Sequence, residues 1–90
     1  MKTKEKINEE AEEIYFAIKE VMEKSGLDYC QSWWLNTRNF DLKSKLSTQE
    51  INQRAKLLIK RGFLIINKSQ TSKSTGICYK LTDKPFQTER

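Results

Sequence analysis

Thr48, Gln49, Asn52 and Gln53 lie within two turns of one another if the chain around them is helical, and their hydroxyl and amide groups suit the reading of nucleic-acid bases. A side-chain amide pairs one acceptor with one donor group at the spacing of adenine N6 and N7, so it can bond that base bidentately in the major groove. Arg54, Lys56 and Lys60 belong to the same segment, where cations bond or neutralise phosphates and hold the register. Lys68 and Lys73 can do the same from residues 68–76, a polar stretch with no acid, and Arg38, Lys43 and Lys45 can do it from the segment ahead. A Gln, Asn and Lys face is commonly no more than a solvated helix face, so the distribution of charge decides how much weight it carries.

The 90 residues carry 17 Lys plus Arg against 12 Asp plus Glu, a net charge of +5. Residues 1–25 hold five Lys against seven Glu, net −2, whereas residues 26–90 hold twelve Lys plus Arg against five Asp plus Glu, net +7. The surplus lies with the polar segment, which points to a polyanion partner such as double-stranded DNA. His is absent, which removes the commonest general base and metal ligand, and no nucleophile has a base nearby in sequence; the expectation is a non-enzyme with no metal and no cofactor. Cys30 and Cys78 form no CxxC pattern and read as two buried thiols of a reducing compartment. No apolar run approaches the about 18 to 20 residues that span a bilayer, and Lys2, Lys4, Glu5 and Lys6 replace any apolar signal core, so a cytoplasmic protein without a membrane partner is expected.

The elements that must hold these side chains follow from periodicity. Ile7, Ala11, Ile14, Ile18, Val21 and Met22 trace one stripe of a helix over 4–24, stopped by Ser25-Gly26, with Glu9, Glu10, Glu12 and Glu13 read as its solvated face. A second helix is expected over 37–46, from Thr37 as N-cap, with Phe40 and Leu46 inward. Ser47-Thr48-Gln49-Glu50 fits the capping box, so a third helix over 48–61 buries Ile51, Ala55, Leu58 and Ile59 and ends at Arg61-Gly62. Residues 63–82 then read as a β-hairpin with a long flexible tip, Ile77, Tyr79 and Leu81 sharing one face, and residues 86–90 as a frayed tail.

Helix, short helix, capped polar-faced helix ending in Arg61-Gly62-Phe63-Leu64, and a hairpin returning as Tyr79-Lys80-Leu81-Thr82 resemble the winged helix-turn-helix family of small bacterial and phage regulators and replication modules. No single motif is specific; the order of elements carries the resemblance, and residues 27–36 depart from it by being longer and more aromatic. The resemblance implies a single α+β domain over 1–90, mostly α: three helices followed by a two-stranded antiparallel wing. It implies sequence-specific DNA binding by a transcription regulator of bacterial or mobile-element origin, with the 48–61 helix in the major groove and the basic wing on phosphate or the minor groove. One such domain offers a small interface, so a homodimer through the first helix is expected, with Tyr15, Phe16, Trp33 and Trp34 as its surface. The alternative is a protein-interaction module of a polymerase, replication or anti-defence complex, acting through the aromatic segment 27–40.

Overall fold

The computed structural model describes residues 3–31, 34–35, 46–69, 71 and 76–86. The first apolar stripe folds as α1 (Lys4–Ser25). Thr3 caps its start by accepting a hydrogen bond from the Lys6 amide at 3.2 Å. Its end comes at the first glycine: Gly26 has φ 72° and donates its amide to the Met22 carbonyl at 2.9 Å, a left-handed conformation that a side chain with Cβ resists.

The second helix of the structure, α2 (Thr48–Lys60), starts with a complete capping box. Ser47 Oγ accepts from the Glu50 amide and Glu50 Oε1 accepts from the Ser47 amide, each at 3.2 Å, so two donors that the helix cannot use are satisfied. At the other end the Gly62 amide donates to the Ile59 carbonyl and the Phe63 amide to the Leu58 carbonyl, a Schellman closure that needs Gly62 at φ 88°. Lys84 completes it by donating Nζ to the Arg61 carbonyl at 2.6 Å while lying 4.7 Å from the centre of the Phe63 ring.

Three short strands make one antiparallel sheet in the order β1-β3-β2: β1 (Cys30–Gln31), β2 (Leu64–Ile66) and β3 (Cys78–Leu81). Leu64 faces Leu81, Ile65 faces Lys80 and Ile66 faces Tyr79, while Cys30 meets Tyr79 from the other side. Tyr79 is therefore the centre of the sheet, and its ring is buried with Ile14, Ile18, Ile51, Leu58 and Leu64 in one core.

This architecture corrects the expected three helices and two-stranded wing. Among the described residues there are two helices and a three-stranded sheet, because Cys30–Gln31 pairs with β3 and turns a hairpin into a sheet. The helix expected over 37–46 lies outside the described residues except for Leu46, which is buried and not helical.

Two further expectations change. Glu10 is not on a solvated face: it is 1% exposed, and its Oε1 accepts from Arg54 Nε at 3.0 Å. Arg61 adds a second tie between the helices by donating Nη2 to Asn8 Oδ1 at 2.8 Å. Phe86 is not frayed either. Its ring stacks on Tyr15 at 4.5 Å and meets Phe63 at 5.0 Å and Phe16 at 5.3 Å, closing an aromatic cluster over the end of the core.

Glu10→Ala leaves the Arg54 guanidinium buried without its carboxylate and should cost about 3–5 kcal/mol, whereas Glu20→Ala, which breaks the exposed Lys24–Glu20 pair, should cost under about 1 kcal/mol. Urea unfolding of the two variants separates these effects, and equal losses would refute the buried pair. Phe86→Ala should lower stability by about 1–2 kcal/mol, less than a fully buried phenylalanine but measurable by the same method, where a frayed residue would give no change.

Candidate nucleic-acid interface

Ile51, Arg54, Ala55 and Leu58 turn one side of α2 into the core. The opposite side is then fixed by helix geometry: Gln49, Gln53, Lys56 and Lys60, at gaps of four, three and four, form an exposed stripe. Glu50, the single acid of α2, is half-buried and held in the capping box, so the stripe itself carries two neutral amides followed by two cations. The same carboxylate sits at the helix N-terminus, where it opposes an incoming phosphate.

Thr48 and Asn52 flank the stripe and are half-buried. Asn52 is not a free amide: the Tyr79 hydroxyl donates to its Oδ1 at 2.8 Å. Burial pushes the pKa of that hydroxyl up from 10.0 to about 12, so it keeps its proton and remains a donor throughout the neutral range. The expected bidentate bond from Asn52 to adenine is corrected accordingly, since the oxygen that would accept from N6 is turned inward onto the Tyr79 hydroxyl.

Arg54 is corrected as well. With its side chain 10% exposed and its Nε on Glu10, it joins α1 to α2 and offers no surface for a phosphate. Lys68 is exposed, in a turn organised by Asn67, whose carbonyl accepts from the Thr71 amide at 3.0 Å and from the Thr71 hydroxyl at 2.9 Å. The Thr71 hydroxyl also accepts from the Cys78 amide at 3.0 Å, so Asn67 and Thr71 are tied to β3; residues 70 and 72–75 of the expected flexible tip lie outside the described residues. Arg38, Lys43, Lys45, Lys73 and Trp33 lie outside the described residues.

The surface expected for a dimer or a protein partner is reduced. Tyr15 is 7% exposed and belongs to the core, which removes it from any contact surface; Phe16, at 48%, is exposed but set edge-on against Tyr15 and Phe86. Trp34 is half-buried against the core, with Tyr29 at 6.0 Å.

Sequence reasoning missed Tyr79 as a partner of the polar helix face and Lys80 as an exposed cation of the sheet. Strand alternation was the signal for Lys80: with Tyr79 inward, Lys80 must face out, opposite Ile65. The Tyr79 contact to Asn52, across 27 positions, has no local signal at all.

Cys30 and Cys78 are both buried and free. Burial, with a smaller contribution from Cys78, pushes the Cys30 thiol up from 9.0 to about 12, which suppresses the thiolate that metal binding or nucleophilic attack would need. Among the described residues no group of three His, Cys, Asp or Glu side chains gathers, and no helix is long and apolar enough to cross a membrane. No protein-family model matches the chain, and no curated protein or solved structure matches it.

A proton held more tightly in the folded chain than in the unfolded one gives stability that is complete below the unfolded value and is lost as pH rises through the folded one. For Cys30 that window runs from about 9 to about 12, and for Tyr79 from about 10 to about 12. Unfolding free energy measured across this range should fall continuously, and Cys30→Ala should delay the onset of the fall towards pH 10. An onset unchanged by the substitution would exclude Cys30 as its source.

Proposed function

We propose that this protein binds double-stranded DNA with the solvent side of α2 in the major groove, and that it acts as a small sequence-specific regulator. The observation that carries this reading is the stripe Gln49, Gln53, Lys56 and Lys60: four exposed side chains, no carboxylate among them, on the side of α2 opposite the core. An α-helix fits the major groove, and the stripe divides along its length into groups that discriminate bases and groups that discriminate nothing but charge. Gln49 and Gln53, neutral and exposed, are the base readers. Lys56 and Lys60 hold phosphates, and Lys68 extends the cationic surface beyond β2. The excess of positive charge in residues 26–90 supports the same reading, because it draws a polyanion toward the part of the chain that carries α2.

Electrophoretic mobility and fluorescence anisotropy on duplexes selected from a random pool test this division. The double variant Gln49→Ala with Gln53→Ala should relax preference at the positions those two side chains read while leaving binding to arbitrary duplex and its salt slope in place. Lys56→Ala with Lys60→Ala should weaken all duplexes alike and flatten the logarithmic salt slope by about 0.9 for each phosphate contact removed. A chain that binds no duplex at low salt, or one whose two double variants bind as the parent does, would overturn the proposal.

A further inference from the structure

The Tyr79 hydroxyl lies at the boundary between the core and the polar side of α2. Its ring is 1% exposed, fixed at the centre of the sheet between Cys30 and Ile66, so the hydroxyl has little freedom to move away from Asn52. A buried hydroxyl must place its hydrogen on an acceptor, and Asn52 Oδ1 at 2.8 Å is the acceptor it has among the described residues. This sets the orientation of the Asn52 amide. With the oxygen turned inward to Tyr79, the NH2 group is left for a ligand, and among the described residues it has no hydrogen-bond partner.

We propose that Tyr79 is a specificity-determining positioning residue: by holding the Asn52 oxygen it makes Asn52 a donor-only reader, which selects the acceptor edge of guanine over the mixed edge of adenine. The inference rests on the DNA-binding reading of α2. In the major groove guanine offers two acceptors, N7 and O6, to the two hydrogens of one NH2 group. Adenine offers N7 beside an N6 amino group, which would set donor against donor. Thymine offers a single acceptor with a methyl group next to it. Asn52 stands three residues after Gln49 and four before Lys56, one helical turn from each, at the margin of the stripe where an NH2 group can reach a base edge.

The test compares the full chain with Asn52→Ala and Tyr79→Phe in selection from random duplexes, followed by anisotropy on single-base variants of the selected site. One position should be guanine in the site chosen by the parent and should lose its preference in Asn52→Ala. At that position 7-deazaguanine should weaken parent binding about tenfold and leave Asn52→Ala unaffected. Tyr79→Phe frees the oxygen and should shift the preference there toward adenine with no change in salt slope, a result that loss of stability alone cannot produce.

Adenine at the Asn52-dependent position of the parent site, or a folded Tyr79→Phe that keeps its guanine, would overturn the inference. So would an Asn52→Ala variant that loses salt slope while relaxing no position, since that outcome puts the amide on a phosphate. If Tyr79→Phe does not fold, the 7-deazaguanine comparison decides on the parent chain. Site preference that depends on Gln49 and Gln53 but on neither Asn52 nor Tyr79 defeats this inference alone; absence of duplex binding defeats it together with the reading beneath it.

Discussion

Glu10 and Arg54 face each other inside the protein at 3.0 Å, one from each helix, and the outward face of α2 depends on that pairing. A buried ion pair adds little net stability, because removing two charges from water costs about what their attraction returns. Its effect is on alternatives. Any packing of α1 on α2 that separates the two leaves a bare charge in the core, so the pair penalises slipped and rotated arrangements far more than an apolar contact would. The Arg61 to Asn8 bond repeats the constraint nearer the end of α2. With rotation of α2 about its axis held in this way, Gln49, Gln53, Lys56 and Lys60 have only one side to occupy, and it is the solvent side.

The sheet contributes a second constraint from below. Tyr79 is paired on both sides and packed into the core, so it supports α2 as a fixed point, and its hydroxyl ends at Asn52. A polar group at that boundary serves two needs: it satisfies a buried donor, and it orients a surface amide. Lys84 has a comparable double role at the far end of α2, where its ammonium closes the last carbonyl and covers the ring of Phe63. Among the described residues from α2 onward, basic side chains thus serve in two ways. Arg54, Arg61 and Lys84 hold the fold together, and Lys56, Lys60 and Lys68 are exposed. Net charge alone does not separate the two kinds.

Part of this arrangement is written locally. The apolar stripe of α1, the Ser47–Glu50 capping box and the glycines at 26 and 62 specify two helices with their ends, because each depends on residues within a few positions of one another. The buried ion pair was legible in outline as well: Glu10 stands three residues after Ile7 and four before Ile14, and Arg54 three after Ile51 and four before Leu58, so both charges fall on the inward stripe of their helix. Reading Glu10 with its acidic neighbours rather than with the stripe hid it. The strand Cys30–Gln31 was not legible, since two residues show no alternation and their partners lie 49 and 47 positions away. Phe86 carried no signal either, being one aromatic residue past a proline, and only the open edge of the Tyr15 and Phe63 cluster explains its burial.

By itself the sequence determined the two helices, their caps, the polar composition of the α2 face and the placement of positive charge after residue 25, all of which follow from spacing and composition over short stretches. Only the tertiary structure decided which members of that face are available. Arg54 is withdrawn by a partner 44 positions away, Asn52 is turned by one 27 positions away, and Gln49, Gln53, Lys56 and Lys60 remain on the surface. The physical reason is that a polar side chain on a helix can be assigned to a face from its own neighbours, but whether its hydrogen-bonding groups are already used depends on what the rest of the chain brings to that face.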